Sequence, residues 1–290
     1  MKIILDTDLG DDIDDSFALA CLLREHRPEL AMVVTASGNT KKRARLVRDF
    51  LARCGAEDVP VYAGVEIEGY RDPYTYRFLE HPEEADGETD GADRAAEFIL
   101  QSDEDVVVVA IGPYPNLAYI AKKYPEAAKK TRVFTMGGSL FRGYDGGPVP
   151  SREWNVVADA DASRTFFSAW KSITLFPVDV CVDAVLAGER YLRLASCGDR
   201  IARELMGDFL KWKTVTHFIK EGETSILYDT LPVLSLKDES TMVFEEHGIR
   251  VTDDGYTVPV KDAPPVRCAV GWRDLDRYLD TLTDVLCGEA

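Results

Sequence analysis

Six aspartates lie within ten residues near the start of the chain, at positions 6, 8, 11, 12, 14 and 15. In one closed turn these carboxylates would repel one another strongly unless a cation neutralised them. Oxygen ligands at this density suit a hard ion, Ca²⁺ or Mg²⁺. Gly10 would let the backbone turn sharply enough to aim them inward. The pattern therefore predicts a metal site.

Two other interpretations of the cluster are open. Asp12, Asp14 and Asp15 would also suit the N-terminus of a following helix, although a cap needs one or two acids rather than six. Asp6 and Asp8 could instead form an aspartyl-phosphate site, with Asp6 as nucleophile and Asp8 as acid and base. That kind of site normally carries a hydroxyl residue two places after its second aspartate, where this chain has Gly10.

The elements around the cluster place it at a strand end. Residues 3–5 form a short β-branched run, and residues 16–23 are apolar and compatible with a helix, so the aspartates occupy a strand-to-helix turn. Such turns line the crevice where ligands bind in α/β proteins. Further strands are predicted at 30–35, 59–62, 105–111, 132–136 and 174–180, and helices at 41–54, 90–100, 190–218 and 274–286. Residues 242–260 are predicted to form short strands with turns at Gly248 and at Asp254-Gly255. We expect an α/β fold with a mostly parallel central sheet and flanking helices.

Composition limits the classes of function. The chain has 290 residues, 46% hydrophobic residues and a net charge of −17, which favours a small neutral ligand over nucleic acid. The six cysteines are scattered, which indicates reduced thiols. From the length we expect one domain, residues 1–290. No membrane span and no signal peptide are predicted, so we expect the protein in the cytoplasm.

Other polar residues follow predicted strands. Asn39 could cap a helix or bind a sugar hydroxyl. Residues 63–90 form a long polar segment that is rich in aromatic residues, which predicts a lid. His81 lies within this segment and is expected to be solvated rather than catalytic. Glu153 and Asn155 are two residues apart, so in an extended segment both side chains would point to one face. The side chain of Trp154 would then point to the opposite face and pack in the interior.

Motifs in this order resemble the inosine-uridine nucleoside hydrolase family. The first is the family's Asp-x-Asp-x-Gly-x-Asp-Asp turn, which here is two residues longer, and we align Asp14-Asp15 with its final pair. The others are Gly38-Asn39, Gly112 with Asn116, Met136-Gly137-Gly138, Glu153-Trp154-Asn155 and Tyr228-Asp229. Each motif follows or lies near a predicted strand, which makes the set far more specific than any one match.

The resemblance implies a nucleoside-hydrolase-like fold, an open Rossmann-like core with C-terminal helical and small-strand additions. It implies cleavage of the N-glycosidic bond of ribonucleosides by a water that Ca²⁺ activates, in a homodimer or homotetramer. The implied ion ligands are Asp8, Asp15, Asp229 and the main-chain oxygen of Ile111, with Asp8 also the general base. The implied ribose contacts are Asp14, Asn39, Met136, Glu153 and Asn155.

Tyr228 stands where many members of that family have a histidine that protonates a purine leaving group. A phenol with a pKa near 10 is a weaker acid than imidazolium, so either its hydroxyl donates to the departing base or the base leaves without protonation by the protein. This departure favours one alternative, a nucleoside- or ribose-binding protein without catalysis. A further alternative is a metal-dependent phosphohydrolase built on Asp6 and Asp8.

Overall fold

The computed structural model describes residues 1–67, 72–79, 88–216 and 219–289. Within these residues a nine-stranded sheet runs through the molecule in the order β3-β2-β1-β4-β5-β6-β9-β7-β8. The strands are β1 (Lys2–Thr7), β2 (Leu30–Thr35), β3 (Val61–Ala63), β4 (Val106–Ala110), β5 (Arg132–Met136), β6 (Ser172–Phe176), β7 (Met242–Val251), β8 (Thr257–Val260) and β9 (Pro265–Trp272).

The sheet is mostly parallel, as predicted. From β3 to β9 each neighbouring pair of strands is parallel, and β7 pairs antiparallel with both β9 and β8. The chain runs from β1 outward to β2 and β3, and then returns to place β4 on the other side of β1. The strand order therefore reverses between β1 and β4. In open α/β sheets, ligands bind at the carboxyl ends of the strands beside this switch point.

Helices cover both faces of the sheet. They are α1 (Asp14–Glu25), α2 (Thr40–Cys54), α3 (Gly91–Gln101), α4 (Pro115–Lys123), α5 (Pro125–Lys130), α6 (Trp154–Val157), α7 (Ala160–Ala169), α8 (Val178–Cys181), α9 (Gly188–Ala195), α10 (Arg200–Lys213), α11 (Thr230–Leu234) and α12 (Leu275–Cys287), with a short 3-10 helix at Tyr74–Phe78. No helix in the described ranges is long and apolar enough to cross a bilayer.

Two apolar cores follow from the alternation of side chains along the central strands. Ile3 and Leu5 of β1 enter the core that α1, α2, α10, α11 and α12 cover, whereas Ile4 enters the core beneath α3, α4, α5 and α7. Every residue of β4, Val106–Ala110, is buried, because helices pack against both of its faces. The aliphatic runs in the sequence are therefore the interior strands.

Two predicted elements were wrong because the regular secondary structure is interrupted within them. The strand predicted at 174–180 ends at Phe176, since Pro177 has no N–H for the ladder and instead precedes α8. The helix predicted at 190–218 is two helices, α9 and α10. The second begins where the Asp199 carboxylate accepts hydrogen bonds from the main-chain nitrogens of Ile201 and Ala202.

The C-terminal region also differs from the prediction. Gly248 was expected in a turn, but it lies within β7, where a Cβ would come 2.4 Å from the carbonyl oxygen of Val260 in β8. The glycine permits two strands to approach closely. The turn predicted at Asp254-Gly255 is present, with Gly255 at φ +87°. The strand β9 was missed, and the third strand lies at Val61–Ala63 rather than at 59–62.

Candidate active site

The aspartate-rich turn connects β1 to α1 at the switch point. Gly10 adopts φ +128°, and a Cβ there would lie 2.7 Å from both Leu46 Cδ1 and Pro73 Cβ. A side chain is excluded at this position by conformation and by space. The bend that the sequence predicted at Gly10 therefore lets the turn pack tightly against α2 and the segment around Pro73.

A buried arginine braces the same turn. Arg43 is 1% exposed, and its guanidinium donates to the carbonyl oxygens of Ser37, Asp8 and Leu9 and to the carboxylate of Asp11. One rigid, planar donor group thus ties the turn after β1 to the turn after β2. This role of Arg43 was not predicted from the sequence, because an arginine in a helix rich in basic residues normally indicates a solvated face.

Three carboxylates converge beneath the turn. Asp14, Asp15 and Asp229 each offer one oxygen, and these oxygens all lie within 4.8 Å of one another. The three side chains are 3%, 3% and 4% exposed. Burial, together with the neighbouring carboxylates, raises the pKa of each well above its usual value. This is a buried all-oxygen donor set with excess negative charge, and it fits a hard divalent cation.

Asp8 lies at the edge of this group. Burial raises the pKa of its carboxyl to about 6, although Arg43 opposes the shift. A Cβ on Gly112 would come 2.9 Å from Asp8 Oδ1, so the turn after β4 approaches this side chain closely. The oxygen trio includes Asp14 rather than Asp8. Asp8 and Ile111 both line the adjoining cavity.

Glu153 and Asn155 were expected in an extended segment; Glu153 is extended, but Asn155 is helical, because α6 begins at Trp154. Glu153 precedes the short helix α6, and its carboxylate accepts hydrogen bonds from the main-chain nitrogens of Gly138, Asn155 and Val156 at 2.8, 2.8 and 3.2 Å. Burial raises the pKa of Glu153 to about 7. Asn155 Nδ2 donates to the carbonyl oxygen of Ile111 at 2.9 Å. Because the segment is helical, Trp154 is 45% exposed and lines the cavity rather than packing inside.

The two remaining predicted ribose contacts differ in position. Met136 ends β5 and lines the cavity, and Asn155 Nδ2 lies 3.4 Å from its carbonyl oxygen. Asn39 caps α2 by accepting from the main-chain nitrogen of Lys42 at 3.1 Å, and it is not among the residues that line the cavity. Of the two interpretations that the sequence left open for Asn39, the structure therefore shows the helix cap, which uses the side-chain oxygen.

A cavity of about 780 Å³ opens above the carboxylates. Tyr228 lies on its wall, and its ring meets the ring of Tyr144 edge to face, with centroids 6.0 Å apart. The Tyr144 hydroxyl accepts from the main-chain nitrogen of Trp154 at 2.9 Å and lies 3.4 Å from Glu153 Oε1. Burial raises the pKa of Tyr228 above its usual value. Tyr144 and Trp212 also line the cavity, although neither was predicted to belong to the site.

The loop that carries Tyr144 has its own anchor. Asp179, which is 3% exposed, accepts hydrogen bonds from the main-chain nitrogens of Leu140, Phe141 and Arg142 at 2.8, 2.6 and 3.1 Å. The predicted lid is described only in part: Tyr74 lines the cavity, whereas residues 68–71 and 80–87, which include His81, lie outside the described residues. His217 also lies outside them.

Residues 3–279 match the protein family described as inosine-uridine preferring nucleoside hydrolase. This chain belongs to that family. Its relatives include a non-specific ribonucleoside hydrolase of Klebsiella pneumoniae (strain 342), 30% identical over 204 residues, which are 65% of this chain and 65% of that protein. Uridine nucleosidase 1 of Arabidopsis thaliana is 25% identical over 89% of this chain and 80% of its own length.

Solved structures of nucleoside hydrolases share the fold. A plant nucleoside hydrolase superposes with a TM-score of 0.81 at 22% identity and covers 99% of this chain and 98% of that one. A purine-preferring ribonucleoside hydrolase from Gardnerella vaginalis gives a TM-score of 0.78 at 21% identity, over 100% of this chain and 99% of that one. The nucleoside-hydrolase fold expected from the sequence is therefore confirmed.

Proposed function

We propose that this protein hydrolyses the N-glycosidic bond of ribonucleosides to give ribose and the free base, with Ca²⁺ as its ion. The observation that carries the proposal is the buried oxygen trio of Asp14, Asp15 and Asp229 at the floor of a cavity large enough for a nucleoside. It lies at the switch point of the sheet in a member of a nucleoside hydrolase family. The curated relatives named above are a ribonucleoside hydrolase and a uridine nucleosidase.

Cleavage proceeds through an oxocarbenium-like transition state, so the enzyme must deliver a water to the anomeric carbon and tolerate positive charge on the sugar. Bound Ca²⁺ supplies polarisation of that water and a fixed positive charge beside the ribose hydroxyls. We assign the ion to Asp8, Asp15, Asp229 and the carbonyl oxygen of Ile111. Asp14 also belongs to the oxygen trio. This position supports a role for Asp14 as a fifth ligand of the ion, or as a residue that contacts both the ion and the ribose.

The remaining steps fall to side chains on the cavity wall. Asp8 takes the proton of the water, since its carboxylate lies at the cavity and its pKa of about 6 leaves it ionised at neutral pH. We assign the ribose contacts to Asp14, Met136, Glu153 and Asn155, which line the cavity, and not to Asn39, which does not line it. Tyr228 donates a hydrogen bond to the departing base.

Release of free ribose tests this function. The calcium-loaded protein should release ribose from uridine or inosine, and excess chelator should abolish the release until Ca²⁺ is restored. Asp229→Asn should be inactive, whereas Asp253→Asn, at a fully solvent-exposed side chain, is the matched control. Tight nucleoside binding without ribose release would instead favour a binding protein. The cytoplasmic location and the homodimer or homotetramer stay predictions.

The phosphohydrolase alternative gains no support from the geometry. Asp6, its nucleophile, is 3% exposed and accepts a hydrogen bond from Asn116 Nδ2 at 2.8 Å. Burial raises the pKa of Asp6 to about 8, so the nucleophile would be protonated at neutral pH. Asp6 is also not among the residues that line the cavity. Release of phosphate from a sugar phosphate would restore this alternative.

A further inference from the structure

Two aromatic residues of the cavity wall are attached to the aspartate-rich turn at Asp11. The main-chain carbonyl oxygen of Asp11 accepts a hydrogen bond from Trp212 Nε1 at 2.9 Å, and its carboxylate Oδ1 accepts one from the main-chain nitrogen of Tyr74 at 3.3 Å. Tyr74 and Trp212 both line the cavity, the first from the 3-10 helix and the second from α10. Asp11 therefore connects two separate parts of the wall to one turn.

Gly10, the residue before Asp11, holds the same 3-10 helix. Its carbonyl oxygen accepts hydrogen bonds from the main-chain nitrogen and from the Oγ1 of Thr75, at 3.0 and 3.1 Å. Pro73 packs so closely against the turn that a Cβ on Gly10 would lie 2.7 Å from the Cβ of the proline. Gly10 and Asp11 thus contact residues 73–75, and we call these two residues the turn platform.

The rest of the 3-10 helix is only partly packed. Tyr76 is buried, and Nζ of Lys42 lies 4.9 Å from the centre of its ring. A void of about 40 Å³ nevertheless remains, lined by Thr75 and Phe78 together with residues of α2 and α10. Atoms that face a void lose dispersion contacts on that side. The hydrogen bonds to the turn platform therefore contribute much of what fixes the position of Tyr74.

The carboxylate of Asp11 is held by the protein on both of its oxygens. Oδ2 accepts from the guanidinium of Arg43 at 2.7 Å and Oδ1 accepts from Tyr74, and Asp11 does not contribute to the oxygen trio. The same guanidinium donates to the carbonyl oxygen of Asp8, so it fixes the platform and the start of the turn together. These contacts connect Asp11 to the cavity wall rather than to the ion site.

We infer that the turn platform positions Tyr74 and Trp212 against the base of the substrate, which makes Asp11 a positioning residue for base binding. The inference rests on the proposed function and assigns a further role in the same site. A planar base binds well against aromatic faces, whereas the ribose hydroxyls suit the polar residues assigned to them above. Because the platform belongs to the same turn as Asp8 and Asp14, it holds the base region in a fixed position relative to the ribose region.

Asp11→Asn separates base positioning from ion binding. The amide keeps one oxygen, which Arg43 takes because a charge-assisted hydrogen bond is the stronger one. The main-chain nitrogen of Tyr74 then faces the NH2 group, which is another donor. The wall contacts the base equally in the ground state and the transition state, so a loosened wall should raise KM and leave kcat nearly unchanged.

Three measurements make the readout specific. The KM of Asp11→Asn for uridine and inosine should rise roughly three- to tenfold. The inhibition constant of ribose, which has no base, and the dissociation constant of Ca²⁺ should both stay within about twofold of the unmodified protein, as should kcat. Asp253→Asn, at the exposed side chain used above as a control, should change none of these values.

Thr75→Val tests the platform from its other partner without altering an acid. The substitution removes the hydrogen bond from Oγ1 to Gly10 and keeps the one from the main-chain nitrogen, so the KM for uridine should rise roughly two- to fivefold with ribose inhibition unchanged. Thr165→Val, at an exposed threonine whose Oγ1 donates to the carbonyl oxygen of Asp161, is the matched control. The double variant Asp11→Asn with Thr75→Val should raise KM by less than the product of the single effects, since both loosen the same segment.

The outcomes that overturn the inference differ from those that overturn the function. Equal rises in the KM of uridine and the inhibition constant of ribose, or weaker Ca²⁺ binding, would mean that Asp11 supports the floor of the cavity and not the wall. An unchanged KM in both single variants, or single effects that multiply in the double variant, also overturns the inference. If the unmodified protein releases no ribose, the proposed function fails, and calorimetric binding of uridine and of ribose to the same variants still decides the role of Asp11.

Discussion

The same residue type takes several different environments within one turn. Asp6 pairs with Asn116, Asp11 with Arg43, and Asp12 accepts from the nitrogen of Ile13, while Asp14 and Asp15 join Asp229 and Asp8 faces the cavity. Some of these carboxylates hold the turn in shape and the others are left to share a cation and a substrate. The surplus of acids over what a helix cap needs is explained by this division.

Asp8→Asn should separate base catalysis from folding. The amide keeps an oxygen for coordination but cannot accept a proton, so we expect kcat to fall by about 100- to 10,000-fold while the melting temperature changes little. Steady-state kinetics at saturating calcium would measure this. The same substitution at the exposed Asp253 should leave kcat unchanged. Unchanged turnover in folded, calcium-loaded Asp8→Asn would remove Asp8 from the role of base.

Tyr228→Phe probes assistance to the leaving group. The substitution keeps the ring that contacts Tyr144 and removes only the hydroxyl. We expect a small effect on a nitrophenyl riboside, whose leaving group departs readily, and a larger loss with inosine. The unmodified protein should hydrolyse the nitrophenyl riboside much better than inosine. Comparable rates on both substrates, each dependent on Tyr228, would show that the tyrosine is an effective acid.

At the scale of elements, the turns after β1, β2 and β4 meet because their strands are neighbours in the sheet. Arg43 links the first two turns, and Gly112 brings the third against Asp8. The site is therefore built from main-chain positions as much as from side chains. The geometry of the turns, and not only the identity of the ligands, should control activity.

Gly10→Ala tests this dependence on turn geometry. The added Cβ would lie 2.7 Å from Leu46 Cδ1 and Pro73 Cβ at φ +128°, so we expect a loss of about 1–3 kcal/mol in the free energy of unfolding and a fall in activity. Gly207→Ala is the matched control, since nothing lies within 4 Å of its Cβ position in α10. The control should stabilise the protein by about 0.5–1 kcal/mol. Equal effects of the two substitutions would contradict the role of Gly10.

At the scale of the molecule, one sheet carries both the N-terminal turn and the C-terminal strands, which supports our proposal that residues 1–290 form one domain. Asp14 and Asp15 are the first residues of α1, whereas Asp229 precedes α11, more than two hundred residues later in the chain. An ion bound by all three therefore links distant parts of the chain. Binding should stabilise the whole fold.

Calcium should raise the melting temperature of the protein. A ligand at 100 times its dissociation constant contributes about 2.7 kcal/mol if it binds only the folded state. Calorimetry with chelator and then with excess Ca²⁺ would measure the shift, and Asp229→Asn should remove most of it. A shift that persists in Asp229→Asn would place the ion elsewhere.

The sequence by itself determined the fold class and the position of the site. An aliphatic run such as Val106–Ala110 indicates a strand that is buried on both faces of the sheet. The polar turns that follow such strands lie at the carboxyl edge of the sheet, where ligands bind. The motifs also identified the family, because they occur in a fixed order along the chain. These features are local, and local patterns are read directly from neighbouring residues.

Only the tertiary structure decided which groups share a partner. The pairing of Asp11 with Arg43 and the hydrogen bond from Asn155 to the carbonyl oxygen of Ile111 join residues that are far apart in the chain. The same holds for the lining of the cavity, since Tyr144 lies in a loop and Trp212 in α10, and no spacing in the sequence connects the two. Contacts between distant segments follow from packing, and a one-dimensional pattern does not contain the packing.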